Sequence, residues 1–89
     1  MSKAVFTPEV AKAIGDQLGI DWSKFDIEQF RMGMDVELEH GRRDATTNVT
    51  NDDSELTGKI ALAHLNEIRD YYTRLEAMEK EGEAHWEGK

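Results

Sequence analysis

Apolar residues recur at intervals of three and four in three stretches of the chain, and each stretch is bracketed by residues that start or stop helices. In the first, Val10, Ala11, Ile14 and Leu18 share one side of a 3.6-residue period. Thr7 stands at the N-cap, Pro8 at the first helical position and Glu9 in the first turn, and Gly19 follows the last apolar residue. A short amphipathic helix over 8–18 is predicted.

The linker from Ile20 to Phe25 carries Trp22 and Phe25, too apolar for a free loop, so it is expected to fold back on the core. Asp26 with Gln29 three residues on forms a capping-box-like pair, and Phe25 can pack on Phe30 as a hydrophobic staple. A second helix, 27–40, follows, with Ile27, Phe30, Met34 and Leu38 on one side and Gly41 as its stop. Gly33 inside it costs about 1 kcal/mol relative to Ala and implies a close helix contact there. Met32 and Val36 lie on the other side, which calls for a second covering element or leaves an exposed patch.

Residues 41–51 are polar and rich in Thr, Asn and Asp, an ordered loop leading into a capped start near Asp52 with Glu55 at the third position. The strongest helical stretch comes next. KIALAHLNEIRDYYTRLEAM, residues 59–78, contains no Gly or Pro, and a third helix is predicted over 53–81. At 1.5 Å per residue it would be about 40 Å long, so the first two helices must lie along it or its end protrudes. The tail 82–89 is expected to fray, with Trp86 loosely docked or held in a contact. The reading is an all-α, compact three-helix domain, one unit over 1–89, with a long C-terminal helix packed on two shorter ones.

Composition narrows the function classes. An 89-residue chain of 38% hydrophobic and 34% charged residues folds but buries only about 60 to 65% of its unfolded surface, leaving little room for a deep catalytic cleft. With no cysteine, thiolate metal sites and thiol nucleophiles are excluded. The net charge is −8, and residues 44–58 hold Asp44, Asp52, Asp53 and Glu55 without a single Lys or Arg. That is not the footprint of a nucleic-acid binder. No signal segment and no membrane-spanning run stands out, so a cytoplasmic location is expected, with neither membrane nor direct nucleic-acid contact.

Candidate chemistry gathers around His64. On a helical wheel at 100° per residue it falls among Ile60, Ala61, Ile68, Tyr71 and Leu75, in the middle of the predicted buried stripe, with Glu67 at the edge. Glu37 and His40 are likewise three residues apart on the second helix. Two helices each bringing one Glu and one His inward make up the ligand inventory of helical-bundle metal sites, so Glu37, His40, His64 and Glu67 could hold Zn or Fe. The simpler reading needs no cofactor. Here Glu37, His40, His64, Glu67 and Tyr71 form an interhelical polar network, and the hydroxyls of Tyr71 and Tyr72 need partners if buried. Nothing resembles a nucleophile activated by a base, which points away from an enzyme.

The stretches FRMGMDVELEHG (30–41) and TGKIALAHLNEIRDYYTRLEAME (57–79), with the lead-in LGIDWSKFDIEQF, resemble a small family of uncharacterised helical domains from bacteria and phage. The resemblance implies a compact helical fold and no established activity, and it places Glu37, Glu39, His40, His64, Glu67, Tyr71 and Tyr72 at motif positions. The functional expectation is a small acidic binding module for an unidentified protein partner. A metal-binding domain is the alternative, and a phage-type inhibitor that mimics nucleic acid with its acidic surface is a further one.

Overall fold

The computed structural model describes residues 5–87, and the regular structure among them is helical. Four helices follow in order: α1 (Pro8–Gln17), α2 (Ile27–Glu37), α3 (Ser54–Glu67) and α4 (Tyr71–Glu87). One 3-10 turn, Leu38–His40, continues α2, so the predicted span 27–40 is helical throughout with a tightened last turn.

Side-chain caps set the first three starts. Thr7 Oγ1 accepts from the Val10 N–H at 3.2 Å, and Asp26 Oδ1 from the Gln29 N–H at 2.9 Å. The third cap lies one residue beyond the expected Asp52: Asp53 Oδ1 accepts from the Leu56 N–H at 2.9 Å. Asp52 is used differently. It sits at φ 65°, after Asn51 at φ 54°, and its carboxylate accepts from the Arg42 N–H at 2.8 Å. Asn51 Oδ1 accepts from Arg42 Nε at 3.0 Å, so both ends of the polar loop are tied together.

The expected single helix over 53–81 is two helices, so the described residues form four helices where three were predicted. Ile68 is extended (φ −136°, ψ 114°) although no Gly or Pro marks the break. The cause is tertiary. In an unbroken helix residues 64 and 71 would stand about 10.5 Å apart along the axis, whereas their rings stack here with centroids 4.3 Å apart. The turn carries Tyr72 into the core and leaves Ile68, which the wheel placed on the buried stripe, 38% exposed. Helix α4 continues to Glu87, beyond the predicted end at 81; of the predicted tail, residues 88 and 89 lie outside the described residues.

Helix α2 is the hub, touching α1, α3 and α4. Its Phe30 and Met34 are fully buried, together with Ala11 of α1, Ala61 and Leu65 of α3 and Tyr72 of α4. The linker folds back as expected: the Trp22 ring meets Phe25 and Phe30 edge-on, and its Nε1–H donates to Asp16 Oδ1 at 2.9 Å. At the other end of α2, Asp35 Oδ1 accepts from the N–H groups of Val5 and Phe6 at 3.1 and 2.9 Å, which straps the N-terminal segment onto this helix.

Gly33 is the close contact that its helix-interior position implied. A Cβ built there would overlap the Tyr72 ring at Cε2 and Cδ2 and stand 3.0 Å from the Ala61 Cβ. Helix propensity alone predicts that Gly33→Ala stabilises by up to about 1 kcal/mol. Overpacking predicts the opposite sign, a loss of about 1 to 3 kcal/mol. Because the Tyr72 ring is boxed in, we expect the second, read as a lower urea midpoint for Gly33→Ala; a raised midpoint would show that α4 is not seated against Gly33.

Candidate functional site

Of the five residues predicted to converge, the structure brings three into one neighbourhood. Glu37, in the last turn of α2, is only 4% exposed. Its Oε2 accepts from the Tyr72 hydroxyl at 2.7 Å, a hydrogen bond spanning 35 residues, and lies 3.8 Å from His64 Nε2. His64 stacks on Tyr71 with an interplanar angle of 11°, and Tyr72 stands nearly perpendicular to both rings. One buried carboxylate is thus capped by a phenol and flanked by a half-exposed aromatic pair.

The other two residues stand elsewhere. The side chains of His40 and Glu67 are exposed, and what the fold uses of His40 is its carbonyl, which accepts from the N–H groups of Val49 and Thr50 at 2.6 and 3.2 Å. Among the described residues no three His, Asp or Glu side chains lie close enough to hold a metal ion. His64 itself lies at the edge of the α3 buried face and not at its centre, with 38% of its side chain exposed. The buried positions of α3 are Thr57, Gly58, Ala61 and Leu65. A wheel drawn through the break counted Ile68, Tyr71 and Leu75 as part of the same helix and so pulled the stripe toward His64.

Tyr72 takes the place that the sequence reading gave to Tyr71. Periodicity could not choose between adjacent tyrosines once the helix breaks before them. The available signal was Gly33, a notch in α2 that one large ring must fill. Burial, followed by the hydrogen bond to Glu37 and that group's negative charge, pushes the Tyr72 phenol well above its ordinary range. A phenol so held stays protonated and donates; it is neither a nucleophile nor a base at neutral pH. The 3.8 Å between Glu37 and His64 exceeds the hydrogen-bond reach that orients a catalytic imidazole.

A second feature lies beside this cluster. Between α2 and α4 runs an open groove floored by Met32, Val36 and Leu75 above the buried Tyr72 ring. Met32 and Val36 had implied either a covering element or an exposed patch; α4 covers them in part. Gln29 Nε2 donates to Thr73 Oγ1 and ties the two helices at one end of the groove.

A family model described as a protein of unknown function, DUF5661, matches residues 11–81. The chain belongs to that family. The matched span includes α2, α3, the break and the part of α4 that carries Tyr71, Tyr72 and Leu75, so both the cluster and the groove floor fall inside it. Neither the curated proteins nor the solved structures contain a match. The described helices include none long and apolar enough to cross a membrane.

Removing the phenol hydroxyl tests the cluster. Tyr72→Phe leaves Glu37 buried without its donor, and we expect a loss of about 1 to 3 kcal/mol in urea unfolding at neutral pH. The pH dependence has a definite sign. Tyr72 in the unfolded chain titrates near its ordinary value of 10.0, whereas the native phenol keeps its proton. The stabilisation is complete below about pH 10 and is lost as pH rises toward the raised native value, with a slope of about 1.4 kcal/mol per pH unit. Between about pH 10 and 11, where the unfolded phenol goes from half to mostly ionised, the Tyr72→Phe profile should fall by about 1 kcal/mol less than the parent; parallel profiles would mean that the phenol is not shifted.

Proposed function

We propose that this domain is a protein-binding module whose docking face is the groove between α2 and α4, and that the Glu37–Tyr72 contact is the structural brace behind it. The observation that supports the reading is the unfinished packing of α4. Its first turns close the core through Tyr72, but beyond Leu75 its apolar residues face outward: Met78 is 57% exposed and Trp86 is 70% exposed. Single exposed apolar residues are ordinary on protein surfaces; two of them on the helix that walls an apolar-floored groove suit an interaction face.

The polar cluster fits a brace better than a reaction centre. Its carboxylate is buried, its phenol is held protonated, and its imidazole is covered on one side by Tyr71. Such an arrangement fixes the angle of α4 against α2 and so sets the width of the groove.

Site-specific photo-crosslinking tests the assignment. A photoreactive side chain at Val36 or Met78, in the folded domain exposed to native-host lysate, should give a discrete protein adduct. The same group at Lys12, on the exposed side of α1, should give none. Equal labelling from all three positions, or labelling from Lys12 alone, would remove the groove from consideration.

A further inference from the structure

The charges along the groove indicate what kind of partner it fits. Its rim is acidic on both sides, with Glu28, Asp35 and Glu39 along α2 and its 3-10 turn, and Glu76, Glu79 and Glu83 along α4. Three cations also line it, but each is already engaged by its own segment. Arg31 pairs with Glu28 and Asp35, Arg43 with Glu39 at 3.7 Å, and Lys80 with Glu76 at 3.3 Å. Among the described residues, Glu79 and Glu83 have no ion pair. Burial raises the Glu79 carboxyl above its ordinary range, and the negative charges of Glu39 and Glu83 raise it further. Six carboxylates therefore face three cations over an apolar floor, and the groove carries an excess of negative charge.

The groove is long enough for a helix, since its lining on α4 runs from Tyr72 to Glu83, about 16 Å at 1.5 Å per residue. Helix α2 is 11 residues long, about 16 Å at 1.5 Å per residue, or three turns. Leu75, Met78, Gly82 and Trp86 follow one another along one side of α4 at steps of three and four. A Cβ added at Gly82 would meet nothing within 4 Å, so the line is open to an incoming side chain. A second copy of this chain is a poor occupant. Residues 76–87 carry five Glu and one Lys, and α4 laid against α4 would set like charges side by side.

Resting on the groove as the docking face, we infer that it receives a basic amphipathic helix of a partner protein. The apolar stripe of that helix lies on Met32, Val36 and Leu75, and its flanking Lys or Arg side chains reach Glu79 and Glu83. This is the helix-in-groove mode, in which anchors at i, i+3, i+4 and i+7 supply affinity and the rim charges supply orientation and rate of encounter.

Three synthetic peptides test it with the full chain. The first carries Leu at i, i+3, i+4 and i+7 with Lys elsewhere, the second scrambles that composition to destroy the stripe, and the third keeps the stripe but replaces Lys with Glu. The first should bind, shift the backbone amide resonances of Met32, Val36, Leu75 and Glu79, and weaken roughly tenfold between about 50 and 500 mM salt. The other two should bind at least about tenfold more weakly. Glu79→Gln with Glu83→Gln should weaken the first peptide without lowering the melting temperature. Equal binding of the scrambled peptide, equal binding of the Glu peptide, or shifts confined to another face would each overturn the inference. So would concentration-dependent dimerisation of the free domain that protects the same resonances. If the Val36 and Met78 crosslinks capture a protein while the Lys peptide fails, the basic-helix inference falls and the docking-face reading stands.

Discussion

The placement of one side chain, Tyr72, governs the rest of the molecule. Its ring fills the notch left by Gly33, its hydroxyl satisfies the buried Glu37, and its backbone lies in the first turn of α4, just past the break that Ile68 opens. Each of these needs the others. Without the notch the ring has no space, without the hydroxyl the carboxylate is buried alone, and without the break the ring cannot turn inward from α4 toward α2. A buried carboxylate with no donor is among the costlier defects that a small domain can hold. The hydrogen bond spanning 35 residues therefore fixes where α4 sits.

This constraint also explains why the domain is open on one side. The core is small: among the described residues seven apolar side chains are buried, and only one of them belongs to α4. A compact chain of this length has a radius of gyration of about 12 Å, and the observed 13.5 Å, with a long axis of 44 Å, reflects the part of α4 that extends past the other helices. Packing that single ring closes the core at one end and leaves the large apolar residues of α4 beyond Leu75 pointing outward. The groove is a direct consequence of anchoring a 17-residue helix by its first turn.

Much of this was legible in the sequence where the signals are local. Thr7, Pro8, Asp26 and the glycines gave the starts and stops of the first two helices, and Gly33 gave the close approach. What could not be read is what tertiary packing decided. KIALAHLNEIRDYYTRLEAM has the composition of one helix, and its break at Ile68 is recorded only in the stacking of His64 on Tyr71 and the insertion of Tyr72. Carrying the wheel through that break misplaced Ile68, centred His64 where it stands at an edge, and drew Glu67 into a cluster it does not join. His40 was misjudged for another reason: a 3-10 turn at the end of α2 rotates its side chain away from where α-helical spacing puts it.

The same geometry separates two roles among the motif residues. Glu37 and Tyr72 are enclosed, so whatever they do acts through the position of α4. His64 and Tyr71 are partly exposed beside them, and the groove runs past Tyr72 on the α2 side. A partner that tightened α4 against α2 would compress the Gly33 contact, while one that drew α4 outward would lengthen the Tyr72–Glu37 hydrogen bond and expose a carboxylate that was buried at little cost only while that bond existed. Because both displacements are unfavourable, the groove is held near one width. On the proposed reading, a docking face of fixed width would select partners by shape at its floor and by charge at its rim. In this chain the floor is apolar and the unpaired charge at the rim is negative.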